Sequence, residues 1–170
     1  KYLVPAEWGI SRKNLTADRV HVDGRLRQEA EYSVQILFGF EEVLGIFSSR
    51  NSLINGAPIL IETVNDPDLE RKALSIGKFL NQQGLIGPLN LQAKNDVDDG
   101  YTFFEVNGRF TGITPVRAKM GFNEVMAMYQ YFVLGKSPAA YLQYEQEQAA
   151  YRYLSESIFT QKDLQKLEET

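Results

Sequence analysis

The 170-residue chain has no cysteine, a single histidine and a single tryptophan. Without cysteine, disulfide frameworks, thiolate zinc sites, iron–sulfur clusters and cysteine nucleophiles are excluded together. His21 alone cannot build a multi-histidine metal centre, and no G-x-S-x-G elbow accompanies it to support a serine–histidine triad. Long apolar runs are missing too: none reaches the length of a membrane-spanning helix, and the first residues lack a basic stretch followed by an apolar one. The expectation is a cytoplasmic chain with no membrane partner. Positive charge is in short supply, with 18 Lys and Arg against 22 Asp and Glu for a net charge of −4. Such a balance offers a phosphate backbone no general attraction, so nucleic acid is not an expected partner.

Apolar residues are plentiful: 44% of the chain is hydrophobic and 24% charged, enough for one well-packed domain or two small lobes. The chain opens on Lys1, Tyr2, Leu3 and Val4 rather than on methionine, which reads as an excised fragment, a proteolytic product or a downstream piece of a longer protein. Residues 1–27 hold no sustained period of 2 or 3.6, and Pro5, Gly9 and Gly24 interrupt them, so a short strand and loops are expected. Residues 31–38 alternate, with Tyr32, Val34, Ile36 and Phe38 on one face, Glu31, Ser33 and Gln35 on the other, and Leu37 as the exception. This pattern predicts a half-buried strand. Residues 43–49 read as its antiparallel partner across a turn at 39–42, and residues 59–64 as a third strand after the Asn55-Gly56 turn signal.

Asp66-Pro67-Asp68 supplies an N-cap, a proline at the first helical position and an acidic first turn. Leu69, Ala73, Ile76 and Leu80 form one apolar stripe behind it, and Gly84 ends the helix. Strands are expected at 88–94 and 101–107, with helix at 114–134 broken at Gly121-Phe122 and a further strand at 151–159. Thr160 and Asp163 have capping-box-like spacing for a last helix at 160–169. The acidic turn with Asp96, Asp98 and Asp99 reads as a plain hairpin turn, because the late glutamate of a calcium loop is missing. Met120, Met126 and Met128 read as core, and the tyrosines at 129, 131, 141, 144, 151 and 153 as packing and interface residues.

A hairpin centred between Asp98 and Asp99 pairs Leu91 with Val106 and Ala93 with Phe104, which with Leu89 make one apolar face. Its other face is polar. There Gln92 stands opposite Glu105 and Asn90 opposite Asn107, beside Lys94. One carboxylate and two carboxamides suit a hard divalent cation that takes a few protein oxygens and completes its shell with phosphate and water. Arg109, two residues on, offers a permanently charged fork for a transferring phosphate. The same spacing also fits the solvated outer face of an edge hairpin, with Glu105 facing Lys94.

The stretch Gly87-Pro88-Leu89-Asn90-Leu91-Gln92, then Asp99-Gly100, then Glu105-Val106-Asn107-Gly108-Arg109-Phe110-Thr111-Gly112 resembles the carboxy-terminal lobe of an ATP-grasp domain. The closest flavour is that of carbamoyl phosphate synthetase large subunits and their small relatives, with the pattern G-x-x-N-x-Q, D-G, E-x-N-x-R-x-S/T-G. The resemblance implies an α+β fold, a mainly antiparallel sheet flanked by helices. It also implies that Gln92, Glu105 and Asn107 bind Mg²⁺ or Mn²⁺, that Glu31, Gln92 and Glu105 take part in holding ATP, and that Arg109 contacts phosphate. Glu31-Tyr32-Ser33-Val34 is similar to the family's E-Y-S-V strand, and Arg50 to an arginine that approaches the acceptor or phosphate. Read without the resemblance, Arg50 is a solvent-facing charge at a strand end and Glu31 a polar edge residue.

Carried through, the resemblance implies an ATP-dependent ligase part: a small carboxylate or bicarbonate becomes an acyl phosphate, and an amine or ammonia displaces the phosphate. Glycine replaces the family's usual proline at 108, and nothing before Glu31 resembles the amino-terminal lobe or the lysine and glycine-rich loop over the ATP phosphates. The expected organisation is an irregular upstream segment at 1–30, a lobe at 31–135 and an extension at 136–170 that packs on it. The missing lobes would be supplied in cis or in trans. Alone, the chain is expected to bind ATP weakly or undetectably, not to turn it over, and to form a homo-oligomer through apolar surface that those lobes would cover. The rival reading is a non-catalytic, truncated lobe that serves as an interaction module.

Overall fold

The computed structural model describes residues 19–20, 26–96 and 100–152. The readings for His21, the tip of the acidic turn, Tyr153, the strand beyond 152 and the helix at 160–169 lie outside these residues. The described elements run β1 Arg19–Val20, β2 Leu26–Phe38, β3 Val43–Ile54, β4 Ala57–Thr63, α1 Pro67–Gln82, β5 Gly87–Asp96, β6 Gly100–Asn107, α2 Thr114–Lys119, α3 Glu124–Met128 and β7 Ala149–Tyr151. A π-helical turn, Tyr129–Val133, continues α3, and a 3-10 turn covers Ala139–Tyr141. The fold is α+β, as expected.

The seven described strands form one antiparallel sheet in the order β6-β5-β2-β3-β4-β7, with β1 paired to β2. Local sequence sets its hairpins. Asn55 and Gly56 both take positive φ, 51° and 75°, the conformation that a two-residue hairpin turn requires. Helix α1 starts where the cap signal places it: the Asp66 carboxylate accepts from the amides of Asp68 and Leu69, and Pro67 sits in the first turn.

The sheet carries helices on both faces. On one, Val34, Ile36 and Phe38 of β2 and Leu89, Leu91 and Ala93 of β5 pack on Leu69, Ala73 and Ile76 of α1. On the other, Leu37, Phe47 and Ile61 join Ile113, Met120, Phe122 and Ala127 around α2 and α3. Tyr144 closes this second core, its ring centroid 4.6 Å from that of Phe47. The half-buried strand expected at 31–38 is therefore corrected: β2 lies between β5 and β3, and Glu31, Ser33, Gln35 and Leu37 are as buried as the face opposite. The exceptional Leu37 is explained by the same core.

The β5–β6 hairpin pairs Leu91 with Val106, Gln92 with Glu105 and Asn90 with Asn107, in the expected register. Beyond Gln92 the register shifts, and Ala93 pairs with Phe103 rather than Phe104. This bulge sends Phe103 into the α1 core and leaves Phe104 partly exposed, 6.0 Å from the Lys94 ammonium. Val106, expected to be buried, is 42% exposed at the outer edge of the sheet. Among the described residues the last strand is Ala149–Tyr151, which extends the β4 edge; the strand expected at 151–159 lies mostly outside them.

Candidate functional site

Helices α2 and α3 cover only part of the second sheet face. The rest is the floor of a cavity of about 600 Å³ lined by side chains of β2, β3, β5 and β6, the loop after β6 and Arg152. The pairing explains why the floor is polar. Glu105, Gln92, Ser33 and Ser49 lie directly opposite one another across four neighbouring strands, so their side chains emerge on one face. A second row places Lys94, Glu31 and Asn51 side by side. Asn90 donates to the Ser33 hydroxyl at 2.9 Å, which ties β5 to β2 beneath the floor.

Glu31, Gln92, Glu105, Asn107 and Arg109 all line this cavity. The Asn107 side-chain amide donates to Glu105 Oε1 at 2.8 Å, and Arg109 Nη1 donates to the Phe110 carbonyl at 3.1 Å. Arg50 is not among them. It neighbours Asn51 in the strand and so points to the opposite face, where its Nη2 lies 3.0 Å from Glu62 Oε2. Its hydrogen bond and ion pair with Glu62 hold its pKa above the ordinary arginine value.

The loop after β6 is pinned from behind. Arg117 and Glu124 are fully buried, and Arg117 Nη2 bridges Glu124 Oε1 at 2.6 Å and the Thr111 hydroxyl at 3.0 Å. Thr111 and Gly112 line the cavity, so the ion pair under α2 and α3 fixes the wall that follows Arg109.

No group of three or more Asp, Glu, His or Cys side chains is placed to hold a metal among the described residues. The donors in the cavity are instead two carboxylates with carboxamides. One of these, the Asn51 Oδ1, is buried without a hydrogen-bond partner. An oxygen-rich, partly carboxylate donor set of this kind fits Mg²⁺, which keeps phosphate and water in its shell, better than it fits a soft ion.

Sequence reading missed Asn51 and Arg152. Asn51 was detectable by continuing the alternation of β3 beyond Ser49. Arg152 follows a three-residue strand whose pairing with β4 has no local signal.

No protein-family model matches the chain, and no curated protein matches it by sequence. Solved structures do. A carboxyaminoimidazole ribonucleotide synthase from Aspergillus clavatus complexed with ATP aligns with a TM-score of 0.52 at 14% identity, over 71% of this chain and 33% of that one. An N5-carboxyaminoimidazole synthase from the same organism, in complex with ADP and 5-aminoimidazole ribonucleotide, aligns with a TM-score of 0.51 at 15% identity, over 71% and 34%. The chain has the fold of an ATP-grasp lobe. It spans about a third of the length of these two structures. Within this fold, the cavity lies on the sheet face that α1 does not cover.

Proposed function

We propose that the cavity is one wall of a Mg²⁺- or Mn²⁺-dependent ATP site in a carboxylate–amine ligase. One observation carries the reading: Gln92 faces Glu105 and Asn90 faces Asn107 across β5 and β6, with Arg109 in the same cavity. The ATP-grasp fold and its nucleotide-bound neighbours support it.

Gln92, Glu105 and Asn107 would hold the cation. When bound, it neutralises charge on the phosphates. The chain's own contributions are positional. Asn107 orients the Glu105 carboxylate through its amide, and Arg109 places a fixed positive charge where a phosphoryl group is transferred. In the reaction, a carboxylate oxygen attacks the γ-phosphorus, ADP leaves, and an amine then displaces phosphate from the acyl carbon. Arg50, paired with Glu62 on the opposite face of the sheet, does not line this cavity.

Calorimetric titration of the chain with ATP, with Mg²⁺ and then with EDTA, tests the proposal. Binding in the millimolar range, worth about 4 kcal/mol, is expected with the metal. It should be lost with EDTA and weakened at least about tenfold in Glu105→Gln. Measurable binding that is equal with and without metal contradicts the assignment.

A further inference from the structure

An apolar ridge runs along α3 and the π-helical turn that continues it. From Glu124 to Gly135 the only charged side chain is Glu124 itself, and it is fully buried. Ala127 packs inward on the second core. Val125, Tyr129 and Val133 face solvent at intervals of four residues, and none of them lines the cavity. In an unbroken α-helix, which turns about every 3.6 residues, Val133 would sit about 80° round the axis from Val125. The wider turn takes back part of that drift. The Leu134 amide donates to the Tyr129 carbonyl five residues earlier at 3.2 Å, and Val133 is 65% exposed.

One flank of the ridge is aromatic and held in place. Phe40, 66% exposed in the turn between β2 and β3, meets the Phe132 ring edge-on at 5.4 Å and lies 6.1 Å from the Tyr131 ring. Tyr131 donates to Glu42 Oε1 at 2.9 Å, and Gly39 makes room for it, since a Cβ there would lie 2.6 Å from the Tyr131 hydroxyl oxygen. Exposed apolar groups that are already fixed lose little conformational freedom on association.

Phe40, Val125, Tyr129, Val133 and Leu134 together expose on the order of 500 Å². A stable interface covers about 800 Å² on each partner, so these residues supply its core and a narrow polar rim supplies the rest. Their composition agrees, because interface cores are poor in charge and rich in aromatic side chains. The spacing selects the occupant. Val125 and Val133 stand symmetrically about Tyr129, so a two-fold axis at Tyr129 sets Val125 of each copy against Val133 of the other, the reciprocal pairing that such symmetry requires.

We infer that this ridge pairs with the same ridge of a second copy of the chain, the two α3 helices antiparallel across a two-fold axis at Tyr129. The inference stands independently of the ligase reading, since the ridge shares no residue with the cavity.

Sedimentation equilibrium of the full chain tests this at about 100 µM, above the micromolar dissociation constants at the weak end for interfaces of this size. A dimer is expected. Val133→Glu should weaken it at least about tenfold without moving the urea unfolding midpoint of the monomer, whereas Val106→Glu, at the exposed β6 edge, should leave it intact. Because the chain has no cysteine, an introduced thiol reports only its own contacts. With a short bis-maleimide, Tyr129→Cys should crosslink to itself, and Val125→Cys mixed with Val133→Cys should crosslink several-fold more than either does alone. A monomer at that concentration overturns the inference, as does a dimer broken by Val106→Glu but not by Val133→Glu. Val125→Cys and Val133→Cys that crosslink only to themselves would overturn the antiparallel pairing and the inference with it.

Discussion

Arg117 and Glu124 meet with no exposed surface on either residue, the guanidinium Nη2 2.6 Å from Oε1. The Thr114 hydroxyl completes the contact by donating to Glu124 Oε1. Burial lowers the Arg117 pKa, against the opposing pull of the Glu124 charge. Removing one partner of such a pair strands the other without water. Arg117→Met should therefore cost about 3–5 kcal/mol in denaturant unfolding, and adding Glu124→Leu should restore most of it. A stable single variant would contradict this account of how the loop after β6 is held.

Asp66 joins α1 to the sheet as well as capping it. Its Oδ2 accepts from the Tyr101 hydroxyl at 2.6 Å, and its Oδ1 from the amides of Asp68 and Leu69 at 3.0 and 3.1 Å. Burial pushes the carboxyl pKa up, but the three hydrogen bonds outweigh it and hold the group below its ordinary value of 3.8. The folded state thus binds this proton less tightly than the unfolded chain does. The resulting stability is present above that ordinary value and is lost as pH falls through the lower folded one. Asp66→Ala should cost about 1 kcal/mol at neutral pH. The gap should narrow in urea unfolding carried out below about pH 4, and a gap that widens there would refute the assignment.

Gly121 separates α2 from α3 with φ at +104°, and a Cβ built there would lie 2.2 Å from the Gln143 carbonyl oxygen. Because that oxygen is backbone, it cannot swing away. Gly121→Ala should cost at least about 1–3 kcal/mol for the backbone conformation alone, with the clash in addition. A melting temperature equal to that of the unsubstituted chain would be the contrary result.

Arg50 provides a comparison from behind the sheet. Its exposed pair with Glu62 predicts a change below about 1 kcal/mol for Arg50→Ala in thermal unfolding. ATP binding should be unaltered. Weakened binding would place Arg50 in the site after all.

The hairpin of the candidate site was legible because its information is local. Apolar Leu91 and Val106 set a register across one short turn, and that register alone brings Gln92 to Glu105 and Asn90 to Asn107. The bulge at Phe104 was not legible, since either of two adjacent phenylalanines satisfies the apolar pattern and packing on α1 chooses Phe103. The burial of Glu31 and Gln35 was hidden for a different reason. It depends on strands and helices far along the chain, whose presence a polar residue in an alternating strand does not announce. Arg152 reaches the cavity through a pairing between residues about ninety apart, Leu60 with Tyr151, which local periodicity does not encode.

The central claim is that Gln92, Glu105 and Asn107 face a metal–nucleotide complex, and paramagnetic NMR tests it most directly. Titrating the chain with Mn²⁺ and ATP should broaden the side-chain amide signals of Gln92, Asn90 and Asn107 at substoichiometric metal. Asn81, on α1 behind the sheet, should keep a sharp signal. Glu105→Gln should remove the selective broadening. Uniform broadening, or none at Gln92 and Asn107 while ATP binds, would show that the cluster does not hold the cation.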